Sequence, residues 1–174
     1  MVFQRHVGRF IRKPVFRIVK QRLPSTIHLG ATAFLLSFLI GIPLGVLSAV
    51  TRGSIWDYVG RFIALLGQAV PQFWLGLVLI LVFAVHWQIF PAALKGDGLL
   101  DVKHLVLPTI TLAAGGFAFY MRITRNAMLQ VLDSEYIRLA RAKGVSNRVV
   151  IWKHAFKNAL IQPLTGMTLG LTGF

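Results

Sequence analysis

Four stretches of the chain contain no aspartate, glutamate, lysine or arginine, and together they cover more than half of its 174 residues. They are residues 23–51, 62–94, 104–121 and 158–174. The hydrocarbon core of a bilayer is about 30 Å thick, and about 20 apolar residues cross it as an α-helix. The first two stretches exceed that length, and the last two reach it with one added turn of interfacial residues. The pattern therefore predicts an all-α, polytopic bundle of membrane helices.

The charged residues outside these stretches are mostly basic, and the net charge is +14. Lysines and arginines that flank apolar spans meet anionic lipid headgroups and set topology. Membrane lipids are therefore the expected partners of this charge, and nucleic acid is not. The chain has no cysteine, which excludes disulfides and thiolate chemistry. Its five histidines are scattered without the spacing of a metal site, so no metal is expected.

The chain divides into a basic segment, residues 1–24, and a membrane domain, residues 25–174. We interpret the first as an interfacial or external segment. Pro24 is expected near the start of the first spanning helix, where its missing N–H costs nothing. That helix is predicted from about Thr26 to Ala49.

Two small-residue patterns predict close helix packing. Gly41 and Gly45 are four residues apart in the first span, and residues 113–116 of the third span are Ala-Ala-Gly-Gly. Small residues at this spacing let two helix backbones approach each other.

The second span is predicted from about Arg61 to His86 and is interrupted at Gln68, Pro71 and Gln72. Two glutamines and a proline at this depth are costly when they face lipid. They are expected to face other helices or a water-filled path, which makes them the candidate lining of a translocation path. Alternatively, the glutamines satisfy carbonyls that a proline kink leaves free; both interpretations stay open.

The third span is predicted from about residue 105 to 132 and leads into a polar region, residues 133–157. Ser134 or Asp133 can cap a short helix there, and Gly144 can end it in the left-handed conformation. The helix would be about ten residues long, with a second helix after it. Its partly apolar face is too small for a core, so it is either a docking element or an ordinary solvated connector.

The residues of this region also resemble a known family. They are similar to the cytoplasmic coupling loop of binding-protein-dependent ABC permeases of the dipeptide/oligopeptide/nickel subfamily. The resemblance covers nearly the whole chain from about Arg9. It is carried by Glu135–Val145 and Trp152–Leu160, and by Pro24, Ile40–Gly45, Pro71–Gly76 and Leu107–Pro108 in the same order.

The resemblance implies a permease subunit, and not an enzyme, in the bacterial cytoplasmic (inner) membrane. It would form the path for import of a peptide, nickel or related solute. A partner would bind ATP and magnesium and hydrolyse the ATP, and this chain would hold no cofactor. The implied partners are a second permease subunit in a heterodimer, cytoplasmic ATP-binding subunits, and a periplasmic or lipid-anchored solute-binding protein. The residues implied to couple to the ATPase are Glu135, Tyr136, Ala140, Ala142, Lys143 and Gly144.

Charge counting leaves the orientation open, because the alternating sides of three spans carry nine and ten lysines and arginines. The resemblance places residues 122–157 in the cytoplasm and the first 22 residues outside, after a further helix. It also implies that family members continue past Phe174, so the chain is expected to be an internal fragment.

Two other classes of protein fit less well. The chain has no Gly-x-x-x-x-Gly-Lys-Ser/Thr loop, so a partner must bind the ATP. A secondary transporter or channel would need a carboxylate inside a span, whereas all five acids are predicted to lie in loops. A membrane-bound enzyme would need a nucleophile or an acid/base pair, and we find no such constellation.

Overall fold

The computed structural model describes residues 15–92 and 102–170, and within them every regular element is helical. Two of the helices contain segments long and apolar enough to cross a membrane, Arg22–Val50 and Val102–Leu132. A third span is available if a bent pair of helices counts as one. These observations confirm the predicted all-α membrane fold. The helices are α1 (Val15–Val50), α2 (Ile55–Ala69), α3 (Gln72–Leu79) with a π-helical continuation (Ile80–His86), α4 (Val102–Leu132), α5 (Glu135–Ala142), α6 (Asn147–Val149) with a second π-helical stretch (Val150–Phe156), α7 (Lys157–Ala159) and α8 (Ile161–Gly170).

The start of the first helix was predicted wrongly. Helix α1 begins at Val15 and not at Thr26, so Pro24 lies inside the helix. A proline in a helix removes one backbone hydrogen bond but keeps a helical φ angle, and the hydroxyl of Thr26 donates to the carbonyl of Arg22 one turn back. Residues 1–14 lie outside the described residues, so the proposed boundary at residue 24 stays a prediction.

Helices α1 and α4 form the centre of the bundle, and glycines allow their backbones to touch. A Cβ atom added at Gly45 would lie 2.6 Å from the carbonyl oxygen of Met121, and one added at Gly41 would lie 2.8 Å from that of Phe117. A Cβ added at Gly116 would meet the hydroxyl of Ser37 at 2.5 Å, and that hydroxyl donates to the carbonyl of Ala113 at 3.0 Å. The two predicted close-packing faces are confirmed, and each packs against the other helix: Gly41 and Gly45 meet α4 at Phe117 and Met121, whereas Ala113 and Gly116 meet α1 at Ser37.

The second span is broken more sharply than a kink. Helices α2 and α3 meet at an angle of 101°, and the break lies at Val70 and Pro71. Val70 has an extended backbone, and its N–H still bonds the carbonyl of Leu66 at 3.0 Å. Pro71 has no N–H, so the helical ladder cannot continue through it.

The connection between α1 and α2 is shorter than predicted. It covers only residues 51–54, and α2 begins at Ile55, whereas the second span was predicted from about Arg61. The hydroxyl of Ser54 accepts a hydrogen bond from the N–H of Asp57 at 3.4 Å and so caps α2. Asp57 therefore lies in the first turn of a helix and not in a loop, which corrects the prediction made for it.

Candidate functional site

The short helix predicted after the third span is present as α5, with eight residues. Ser134 precedes it in an extended conformation, but its hydroxyl donates to the carbonyl of Val131 at 2.6 Å and not to α5. The carbonyl of Ser134 instead accepts hydrogen bonds from the N–H groups of Ile137 and Arg138. Gly144 ends the helix with φ of +78°, the left-handed conformation predicted for it. The second predicted helix follows and starts at Asn147.

The apolar residues of α5 divide between two faces. Ile137 is fully buried and Ala140 is 8% exposed, whereas Tyr136 and Leu139 are 50% and 58% exposed. The sequence predicted one small apolar face that included all four. In the structure, Ile137 and Ala140 attach α5 to the bundle as an anchor, and Tyr136 and Leu139 remain at the surface.

The anchor belongs to a core formed by the ends of the long helices. Ile137 packs into a cluster that joins α1, α4 and the helical segment that follows α5. Helix α5 is therefore held directly beneath the two central helices. The buried members of this cluster are Val46, Ala49, Ala127, Met128, Ile137, Val150, Ala155 and Ala159.

Five of the six predicted coupling residues lie at the surface of this helix–turn–helix, and the exception is Ala140, which is buried. Tyr136 contacts His154 through its hydroxyl and the ring Nδ1, which joins α5 to the π-helical stretch. Glu135 forms an exposed ion pair with Arg138 at 2.6 Å. The remaining surface residues are Ala142, Lys143 and Gly144.

A buried ion pair lies close to this element, and the sequence reasoning missed it. Asp57 is 1% exposed, and Arg125 approaches it with Nε at 2.8 Å from Oδ1 and Nη2 at 3.1 Å from Oδ2. The hydroxyl of Ser48 donates to Oδ1 at 2.6 Å, and the N–H of Gly53 donates to Oδ2 at 3.1 Å. The guanidinium of Arg61, one turn along α2, lies 3.5 Å from Oδ1. We call Ser48, Gly53, Asp57 and Arg125 the Asp57 cluster.

The Asp57 cluster connects three elements: the end of α1, the first turn of α2 and the C-terminal third of α4. A second, exposed ion pair joins Arg52 to Asp133 at 3.0 Å, and Asp133 lies two residues before α5. The statement that all five acids lie in loops is therefore wrong. The carboxylate of Asp57 is buried, and its oxygens are occupied by donors of the chain itself, so it is not free to couple to an ion.

One signal in the sequence could have found this pair. Asp57 is the only acid between residues 1 and 96, and it lies five residues before an uncharged stretch, while Arg125 lies four residues after another. A carboxylate and a guanidinium that border two antiparallel apolar helices at the same end can pair.

The predicted path residues lie at and near the break between α2 and α3. The amide oxygen of Gln68 accepts a hydrogen bond from Nη1 of Arg122 at 2.9 Å, and both side chains are exposed. Pro71 and Gln72 are exposed on the other side of the break. Neither glutamine has a hydrogen bond to a carbonyl of the break among the described residues. The alternative in which they repair a kink therefore loses support.

Gln68 also borders a cavity of about 250 Å³ between α2 and α4. We call it the α2–α4 cavity. Pro71 and Gln72 do not line it. Its lining residues are Arg61, Ala64, Leu65 and Gln68 from α2, and Met121, Arg122, Arg125 and Asn126 from α4. Across residues 15–92 and 102–170, no three metal-ligating side chains lie close enough together to hold a metal ion.

These features define a class of protein: a helical membrane bundle that carries a small helix–turn–helix beyond the ends of its central spans. Comparison with known families is consistent with that class and makes it specific. Residues 41–174 match the family described as the inner membrane component of binding-protein-dependent transport systems. The chain belongs to this family, and it is a transport component of an inner membrane.

Curated relatives support the same assignment. The dipeptide transport system permease protein DppB of Escherichia coli (strain K12) is 37% identical over 188 residues, which covers 91% of this chain and 56% of the relative. The protein of the same name from Bacillus subtilis (strain 168) is 40% identical over 161 residues, covering 91% of this chain and 51% of the relative. The chain spans about half the length of the curated relatives it matches.

Proposed function

We propose that this chain acts as a permease subunit of an ATP-driven importer and forms part of the path for a peptide, nickel or related solute. The two curated relatives are dipeptide transport permeases, which favours peptides. A second permease subunit would complete the path as a heterodimer. ATP and magnesium would bind to cytoplasmic partner subunits, and a periplasmic or lipid-anchored protein would deliver the solute.

The observation that carries this proposal is that α5 is packed on the ends of α1 and α4 by one face and exposes the other. Its inner face is fixed to the ends of α1 and α4 by Ile137, while Tyr136 and Leu139 remain exposed. Two exposed apolar side chains beside basic residues suit a groove of another protein with an apolar floor and acidic rim. We therefore propose that residues 133–157 form the coupling loop and face the ATPase.

Individual residues have distinct proposed roles in the loop. Gly144 supplies the left-handed turn that positions both helices, and Lys143 and Ala142 lie beside that turn at the surface. Tyr136 and Glu135 contribute to the contact from the first turn of α5. Ala140 is buried, so its proposed role is to hold α5 on the bundle and not to touch the ATPase.

The path is proposed to pass the break between α2 and α3, where Gln68, Pro71 and Gln72 lie. The polar amides and the opened backbone offer hydrogen bonds to a solute that has lost part of its hydration shell. Residues 1–24 are proposed to lie on the opposite, external side.

The test is to replace Gly144 by valine and to measure capture of the ATPase subunits by the detergent-solubilised permease. A β-branched residue cannot easily adopt φ of +78°, so the turn must change shape and association should fall at least fivefold. Gly53→Val is the control for distortion of a left-handed turn, because Gly53 has φ of +79° between α1 and α2: it should disturb the Asp57 cluster but leave capture per folded molecule unchanged. Equal capture by the Gly144→Val and wild-type proteins would refute the docking role.

ATP-driven uptake provides the second test. Proteoliposomes that contain the complete complex should accumulate solute only with ATP inside and the binding protein outside. Uptake driven by an ion gradient, without ATP, would instead support a secondary transporter.

A further inference from the structure

Three arginines line the α2–α4 cavity, and the described part of the chain places one carboxylate beside them. Arg125 is paired with Asp57 through two nitrogens, at 2.8 and 3.1 Å. Arg61 lies 3.5 Å from an oxygen of the same carboxylate. Within residues 15–92 and 102–170, the side chain of Arg122 donates to the neutral amide oxygen of Gln68 alone. Three guanidinium charges less one carboxylate charge leave two positive charges in excess at this cavity.

Two of these arginines mark the boundary between the apolar spans and their charged ends. Arg61 directly precedes the uncharged stretch 62–94, and Arg122 directly follows the uncharged stretch 104–121. Helices α2 and α4 pack antiparallel, so both boundaries lie at the same end of the bundle. The first basic residues beyond an apolar span meet the phosphate groups of the lipids. Arg61 and Arg122 therefore begin from helix positions at the depth of the phospholipid headgroups.

The rest of the cavity wall is largely apolar and continues onto an exposed surface of α2. Ala64, Leu65 and Met121 form the apolar part of the wall. Leu65 is 66% exposed, and Phe62, about one turn before it on α2, is 61% exposed. A ligand with a charged head and an apolar tail would thus place its head among the arginines and its tail along α2.

The same charges disfavour the solutes proposed for the translocation path. A peptide at neutral pH carries an ammonium group as well as a carboxylate, and nickel is a divalent cation. The described lining of the cavity includes no acid, and the carboxylate of Asp57 already accepts hydrogen bonds from Arg125, Ser48 and Gly53. A positively charged group would be repelled here, whereas a phosphodiester, which carries only negative charge, would be attracted.

We infer that the α2–α4 cavity is a binding site for an anionic phospholipid of the leaflet on the side of α5, and that Arg61 and Arg122 hold its phosphate group. A guanidinium can donate two parallel hydrogen bonds to one phosphate. Arg125 remains with Asp57 and keeps α2 and α4 together beside the site. Basic pockets between membrane helices are known to select anionic headgroups. The inference requires only that the chain lies in a membrane, and it does not depend on the proposed transport.

Native mass spectrometry of the detergent-solubilised protein, titrated with phosphatidylglycerol, tests the site. Phosphatidylglycerol should bind at least about tenfold more tightly than phosphatidylcholine with the same acyl chains, and Arg122→Gln should weaken its binding about fivefold. Arg148→Gln is the matched control, because it removes another exposed arginine from the same end of the bundle but away from the cavity. It should bind the lipid as the wild type does. Equal loss in the two variants would show general electrostatic attraction and would overturn the site.

Asn126→Asp is a second variant, which keeps the inference testable if Arg122→Gln does not fold. It adds a carboxylate to the cavity wall without removing an arginine, so it should weaken phosphatidylglycerol binding about fivefold. Asn147→Asp adds the same charge at the start of α6 and should have no effect.

Three further outcomes would overturn the lipid assignment. Equal affinity of the wild type for the two lipids would show that the headgroup charge is not read. Displacement of phosphatidylglycerol by inorganic phosphate would show a site for a free anion, and displacement by a dipeptide would show a site for the transported solute. None of these measurements uses ATP-driven uptake, so a lack of uptake would refute the proposed function and leave the lipid site standing.

Discussion

Arg125 holds the carboxylate of Asp57 with two nitrogens, at 2.8 and 3.1 Å, although 68 positions separate the two residues in the chain. The arginine side chain is 16% exposed and the aspartate side chain 1%, so both charges are largely removed from solvent. A pair of this kind is costly to break from one side, because the remaining charge stays buried without a counter-charge.

Asp57→Asn is therefore expected to destabilise the protein by about 3–5 kcal/mol. Asp133→Asn is the control: it removes the pair with Arg52, whose side chains are 61% and 64% exposed, and should cost at most about 1 kcal/mol. Denaturant unfolding in one detergent, followed by circular dichroism, measures both. Similar midpoints for the two variants would show that burial of the Asp57 pair does not matter for stability.

Replacement of glycine by alanine in α1 should have opposite effects at Gly45, which touches α4, and at Gly30, which touches nothing. Gly45→Ala should destabilise the bundle by about 1–3 kcal/mol, because the new Cβ lies 2.6 Å from a backbone oxygen of α4. Gly30→Ala places a Cβ with nothing within 4 Å and should be neutral or stabilising by up to about 1 kcal/mol. Thermal unfolding of both variants tests this, and equal shifts in the same direction would contradict it.

Substitutions on the two faces of α5 should have different effects: one on the exposed face should weaken association with the ATPase subunits, and one on the buried face should lower stability. Leu139→Ala removes an exposed side chain, so it should leave the unfolding midpoint unchanged but weaken capture of the ATPase subunits about fivefold or more. Ile137→Ala should cost about 2–5 kcal/mol of stability, because it empties a fully buried site. Capture is measured per folded molecule. The docking surface would have to be placed elsewhere if Leu139→Ala bound the ATPase subunits normally.

The path at the break predicts a loss of transport without a loss of assembly. Gln68→Leu combined with Gln72→Leu should reduce ATP-driven uptake at least tenfold, because the solute then meets apolar side chains where it needs hydrogen bonds. Gln162→Leu removes a comparable exposed amide, hydrogen-bonded to Gln130, and should transport normally. Uptake that survives the double substitution would remove both glutamines from the path.

Much of the architecture could be predicted from the sequence, because hydrophobicity and local backbone preference act over short distances. The first and third uncharged stretches correspond to the two long apolar helices, the second corresponds to the bent pair, and the fourth is not shown to be a span. Gly144 adopts the left-handed conformation predicted for it. Gly41 and Gly45 gave the close contact of α1 with another helix, although not the identity of that helix.

The predictions that were wrong depend on contacts between residues distant in the sequence, or on how much one proline disturbs a helix. Asp57 looks like a loop acid until α2 packs antiparallel to α1 and α4, which brings Arg125 and Ser48 beside it. Pro24 looks like a helix start because proline is common there, yet one lost hydrogen bond does not stop a helix of 36 residues. The 101° angle at Pro71 depends on what α3 packs against, and no local pattern encodes that.

The burial of Ile137 has a mechanical consequence for any protein that grips α5. The side chain packs in one core with Val46 of α1 and Met128 of α4. Because a protein interior is close-packed, α5 cannot shift relative to these two helices without disturbing that core. A pull of even one ångström on the outer surface of α5 would have to be shared at once by both long helices, and strain could not be absorbed in the short turn that joins α4 to α5.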